Sequence, residues 1–135
     1  METMTADMMK SMSMPSGMDM SAMQACIDQC SMCMQACTMC ADQMAGMDGM
    51  GRCASMCMTC ADVCDATMRM MLRPMGMDMG AMESQLRACM AMCEACMAEC
   101  RMHADMGGAC AMCADACEAC LTACRTMLGS MAAAG

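Results

Sequence analysis

Apolar positions recur along this chain at steps of three and four residues, and in four separate stretches cysteine occupies the beat. The first block is Cys26, Cys30, Cys33, Cys37 and Cys40; the second is Cys53, Cys57, Cys60 and Cys64. The third is Cys89, Cys93, Cys96 and Cys100, and the fourth is Cys110, Cys113, Cys117, Cys120 and Cys124. Within a block the steps alternate between three and four. At about 100° per residue, such steps hold every thiol of a block on one narrow stripe of an α-helix. Their mean spacing of about 3.5 is that of the seam of a helical bundle. A strand would scatter the same residues over both faces.

Breakers fall between the blocks. Gly46, Gly49 and Gly51 separate the first two, Pro74, Gly76 and Gly80 the second and third, and Gly107 and Gly108 the last two. The pattern predicts helices over about 20–44, 51–72, 80–105 and 108–129. Short first and third connections make neighbours antiparallel. The expected fold is all-α, an antiparallel up-down-up-down four-helix bundle with a Cys-lined core. Residues 1–19 read as a flexible Met-rich segment, 20–129 as the bundle and 130–135 as a frayed tail. Gly17-Met18-Asp19-Met20, Gly46-Met47-Asp48 and Gly76-Met77-Asp78-Met79 read as flexible, thioether-bearing connections.

Composition sharpens this picture. Of 135 residues, 18 are Cys and 32 Met, and none is Phe, Tyr or Trp. One Ile, one Val and four Leu leave too little branched aliphatic volume for an ordinary core. Cys, Met and Ala supply the 59% hydrophobic content. Without aromatics there is nothing to stack on nucleobases, and a net charge of −8 with scattered Lys and Arg gives no footprint for nucleic acid. One histidine leaves no Ser/His/Asp or Cys/His/Asp set, and no glycine-rich phosphate loop occurs. The expectation is a binding protein and not an enzyme. Met1–Met20 has neither an export signal nor a membrane-spanning run, so the expected location is the cytoplasm, with reduced thiols.

Eighteen reduced thiols on inward stripes call for a filling, because small side chains alone would leave voids that cost stability. Disulfides along one helix are excluded by geometry: residues three or four apart have Cβ atoms about 5–6 Å apart, whereas a disulfide needs roughly 3.8 Å. Thiolates select soft ions such as Cu(I), Zn(II) and iron–sulfur clusters. Zinc wants four ligands in discrete sites, and clusters want four thiolates converging from loops. Cu(I) accepts two or three thiolates, a pair four apart can span one linear ion, and about one Cu(I) per thiolate gives a near-neutral interior. Filling by several Cu(I) ions is the best fit. Storage of another soft metal such as Zn(II), or a thiol redox buffer, is the alternative.

Four further residues continue the ladders at one end. His103 follows Cys100 by three, Met44 follows Cys40 by four, Met50 precedes Cys53 by three, and Met106 precedes Cys110 by four. Thioether and imidazole bind Cu(I) more weakly than thiolate, which suits a mouth for capture and handover. Ile27, Leu72, Leu86 and Leu128, with Met68 and Met71, gather at the opposite end as an apolar plug. Met32, Met39, Met58, Met102 and Met112 project away from the thiol stripe.

At these residues the chain resembles the bacterial copper storage proteins. The four alternating ladders carry the resemblance, with Cys60-Ala61-Asp62-Val63-Cys64 and Glu83-Ser84-Gln85-Leu86-Arg87-Ala88-Cys89, over about residues 20–129. It implies a four-helix bundle holding many Cu(I) ions on the 18 cysteines, usually as a homotetramer, in the cytosolic branch of the family. A copper chaperone or efflux partner would follow from that role. The departures are the 32 methionines and the single histidine, where cytosolic members often carry several near one end.

Overall fold

The computed structural model describes residues 3–12 and 18–134. Helix α1 spans Thr3–Ser11, α2 Met20–Met44, α3 Gly51–Met71, α4 Met79–Met102 and α5 Gly108–Ala134. Short 3₁₀ turns at Pro74–Gly76 and Ala104–Met106 join α3 to α4 and α4 to α5. Helices α2 to α5 pack as α2–α3, α3–α4 and α4–α5, and α5 closes back on α2. This is the expected antiparallel bundle.

Its helices begin where local chemistry starts them. The Asp19 carboxylate accepts hydrogen bonds from the backbone N–H groups of Ser21 and Ala22, at 2.9 and 3.1 Å. Asp78 accepts from Ala81 N–H at 2.9 Å. Each satisfies orphan donors of a first helical turn. Two of the Met-Asp-Met phrases, flexible connections by composition, are therefore helix starts. Gly49, with φ +78°, supplies the left-handed turn between α2 and α3.

Three differences from the sequence pattern concern the ends. The pattern gives the first 19 residues no regular element, yet α1 forms there, and its Met9 is buried against the bundle. A cavity of about 300 Å³ between Met8, Met9 and Met12 on one side and Met71, Leu72 and Pro74 on the other places α1 over the end of α3. Residues 1, 2 and 13–17 of that segment lie outside the described residues. The tail does not fray at 130: α5 continues to Ala134, because Met127 and Met131 still find buried partners. Gly135 is outside the described residues. Third, α4 ends at Met102, three residues early, with His103 as its C-cap. Among the described residues, no helix is long and apolar enough to cross a membrane.

Candidate metal centre

Every one of the 18 cysteines is a buried free thiol. The helix period places each ladder on the inward face, and the antiparallel packing lays the four ladders against one another. The shortest sulfur–sulfur approaches mostly cross between helices. Cys26 meets Cys124 at 3.6 Å, Cys30 meets Cys120 at 3.7 Å and Cys33 meets Cys117 at 3.8 Å. Cys57 lies 3.6 Å from Cys100, and Cys113 lies 3.6 Å from Cys37. Along one helix, Cys33 and Cys37 are 3.9 Å apart.

These separations have a chemical meaning. With metal–thiolate bonds of about 2.3 Å, two sulfurs on a linear ion sit about 4.6 Å apart and three on a trigonal ion about 4.0 Å apart. The observed spacings suit ions bridged between helices, whereas the residue spacing alone suggests linear spans along one helix. Several groups of four sulfurs lie within 4.8 Å of one another, among them Cys30, Cys89, Cys120 and Cys124; Cys33, Cys37, Cys60 and Cys117; Cys33, Cys60, Cys64 and Cys93; Cys37, Cys96, Cys113 and Cys117; and Cys40, Cys53, Cys57 and Cys100. Cys33, Cys37, Cys60 and Cys117 each belong to at least two of them. A shared sulfur can bridge neighbouring ions, so the centre is a continuous column of donors.

Electrostatics inside the column depends on who holds the protons. The Cys57 thiol is lowered, chiefly by its hydrogen bond with Cys100, and the Cys26 thiol chiefly by its hydrogen bond with Cys124. Cys100 and Cys124 are raised, chiefly by their hydrogen bonds with Cys113 and Cys120. In such a network an accepting sulfur ionises more easily while its donor keeps its proton. Toward the His103 end burial leads instead. It pushes Cys53 up to about 12 and raises Cys40, whose neighbours Cys57, Cys113 and Cys110 add like-charge repulsion.

The two ends differ. Met44 and Met50 are buried, and the Met44 sulfur lies 3.6 Å from Cys110 Sγ. Met106 is 48% exposed, so it sits on the rim and not in the column. The His103 side chain is partly exposed, and its Nε2 lies 3.0 Å from Glu99 Oε2. Arg52 Nε donates to Glu99 Oε1 at 2.9 Å. These two partners hold the Glu99 carboxyl below the usual carboxylate range, His103 contributing most and burial opposing. Sequence reasoning misses Glu99 and Arg52; the i,i+4 spacing of Glu99 and His103 could have marked the first, and no spacing marks Arg52.

At the far end the plug is real but differently built. Ile27, Leu86 and Met71 are buried there, Met68 and Leu128 half-buried, and Leu72 is exposed. Met23, Thr67, Met82 and Met127 complete it. A signal for three of these is present in the spacing: Met23 precedes Cys26 by three, Thr67 follows Cys64 by three and Met127 follows Cys124 by three. Met32, Met39, Met58, Met102 and Met112 are exposed, as their positions off the stripe imply.

A closed bundle with a plugged end, a polar-rimmed end and a column of buried thiols between them defines a container for soft metal ions. The chain belongs to the copper storage protein family, whose model matches residues 19–129. It is similar to the copper storage protein Ccsp from Streptomyces lividans loaded with 10 copper equivalents, with 37% identity and a TM-score of 0.89 over 93% of this chain and 98% of that one. The same species' cytosolic copper storage protein, loaded with five coppers, matches at 40% identity and a TM-score of 0.78 over 81% of this chain and 93% of that one. A histidine-to-alanine mutant of Ccsp matches at 40% identity and a TM-score of 0.82, over 85% and 98%. No curated protein matches the sequence.

Proposed function

We propose that this chain stores Cu(I) in the cytoplasm, binding many ions through its 18 cysteines, and that it catalyses no reaction. The continuous column of shared sulfurs carries this reading. Discrete zinc sites would need separate tetrahedral sets, and a dianionic charge at each would be costly in a dry interior. One Cu(I) per thiolate cancels that charge. Exposed methionines on the outer faces favour association into a homotetramer, which would cover them.

The deciding experiment is an anaerobic Cu(I) titration of reduced protein against a competing chelator. Uptake should be of the order of the 10 equivalents carried by the Streptomyces lividans relative, with thiol reactivity lost in parallel. Uptake of only one or two Cu(I) ions while Zn(II) saturated the thiols would transfer the assignment to zinc.

Copper enters at the His103 end in this reading, with His103, Met44, Met50 and Met106 as weak donors that pass ions to Cys40, Cys53, Cys100 and Cys110. The opposite end of the column is closed by the buried side chains of Ile27, Met71 and Leu86. Replacing His103, Met44 and Met106 together with alanine should slow loading and removal at least about tenfold and leave the capacity of the thiol column nearly unchanged. Unchanged rates would put the entrance elsewhere.

A further inference from the structure

Glu99 is the one buried carboxylate among the described residues, only 8% exposed. It lies on the last full turn of α4, next to Cys100. One of its oxygens takes Arg52 Nε at 2.9 Å, from the first turn of α3, and the other faces His103 Nε2 at 3.0 Å. The Arg52 side chain is 76% exposed, so its charge is largely solvated while the carboxylate it pairs with is not. A buried ion is kept only when its oxygens are satisfied. Here both are satisfied, and the carboxylate spans the α3–α4 seam at the rim.

We infer that Glu99, braced by Arg52, is a positioning residue that fixes His103 in its Nε2–H tautomer and so leaves Nδ1 as the imidazole's only donor to Cu(I). Proton counting requires this. An ionised carboxylate has no hydrogen to give, so the hydrogen in this contact belongs to Nε2. In a neutral imidazole the other nitrogen then carries the lone pair. An untethered ring would divide between tautomers and rotate; this one presents a single nitrogen in a fixed direction. Backbone geometry adds to the restraint, because His103 N–H bonds back to Cys100 O at 3.1 Å. The copper part of this inference rests on the reading of the His103 end as the entrance. The tautomer part does not.

His103 is the chain's only histidine, so nitrogen NMR of histidine-labelled, reduced, metal-free protein reports one imidazole. The wild type should show the Nε2–H form alone. Glu99→Gln, whose amide can accept from or donate to the ring, should give a mixture of tautomers. The same variant should slow the first phase of Cu(I) uptake by roughly 10–100-fold, the range typical of a lost outer-shell partner, and leave the saturating number of equivalents unchanged. Arg52→Gln, at an exposed position, should shift both readouts in the same direction by less, which guards against misfolding of the Glu99 variant. On a His103→Ala background, Glu99→Gln should slow uptake no further. A wild-type imidazole protonated on Nδ1 or mixed, or a Glu99→Gln variant with the wild-type tautomer and rate, would overturn the inference. If His103→Ala loaded as fast as wild type, the entrance reading would fall and the copper part with it, and the nitrogen spectrum would still judge the tether.

Discussion

Loading the reduced protein with Cu(I) should raise its unfolding midpoint by more than about 20 °C. A ligand that binds only the folded state and stands at a thousandfold its Kd adds about 4 kcal/mol. Three such ions add about 12 kcal/mol, as much as the whole stability of a typical domain. The metal-free core has unusually little else to hold it: thiols occupy the seam along most of its length, and large apolar side chains fill only its ends. Anaerobic circular dichroism melts of the two forms measure the shift, and one below about 5 °C would mean that copper lies outside the column. Cys37 provides the internal control, since it has Cys33, Cys96, Cys113 and Cys117 all within 4.0 Å. Cys37→Ala should cost the metal-free form only about 1 kcal/mol for the lost sulfur. In the loaded form it should cost several times that, because each neighbouring ion loses a ligand.

Metal-free protein should also weaken steeply in alkali, and copper should abolish the effect. Cys53 is raised by burial from 9.0 to about 12, and Cys40 is raised for the same reason. Above pH 9 the unfolded chain releases these protons while the folded chain retains them. The unfolded state is thereby favoured, and stability that is complete below about pH 9 is lost progressively toward pH 12. Urea unfolding of the reduced, metal-free protein between pH 8 and 11 measures the slope, and a flat profile would contradict the burial argument. Once copper is bound the thiols are already deprotonated, so the loaded form should show little slope.

Much of this molecule is legible in its residue pattern. The ladders locate four helices to within three residues at most ends, because each step of three or four is a local constraint that only a helix satisfies. The same arithmetic marks all 18 buried thiols and the exposed Met32, Met39 and Met112. It fails at the termini. Helix α1 has no cysteine ladder to announce it, and its methionines become an apolar face only against the end of α3. The Met-Asp-Met phrases are ambiguous because an aspartate that caps a helix and one in a flexible loop look alike until the following turn forms. Leu72 looks like part of the plug by its apolarity, yet it falls just past the end of α3, where the chain turns outward.

The sequence by itself determined the helices, their inward faces and the soft-metal chemistry of those faces, since all three follow from residue type and a period of about 3.5. Only the tertiary structure decided which sulfur meets which across the bundle, and therefore that donors are shared between helices. It also decided that Met44 reaches the column while Met106 stays on the rim, and that His103 is held by Glu99, which Arg52 braces in turn. Those outcomes depend on the axial register and rotation of whole helices against one another. Side chains distant in the chain set that register jointly, and no local spacing encodes it.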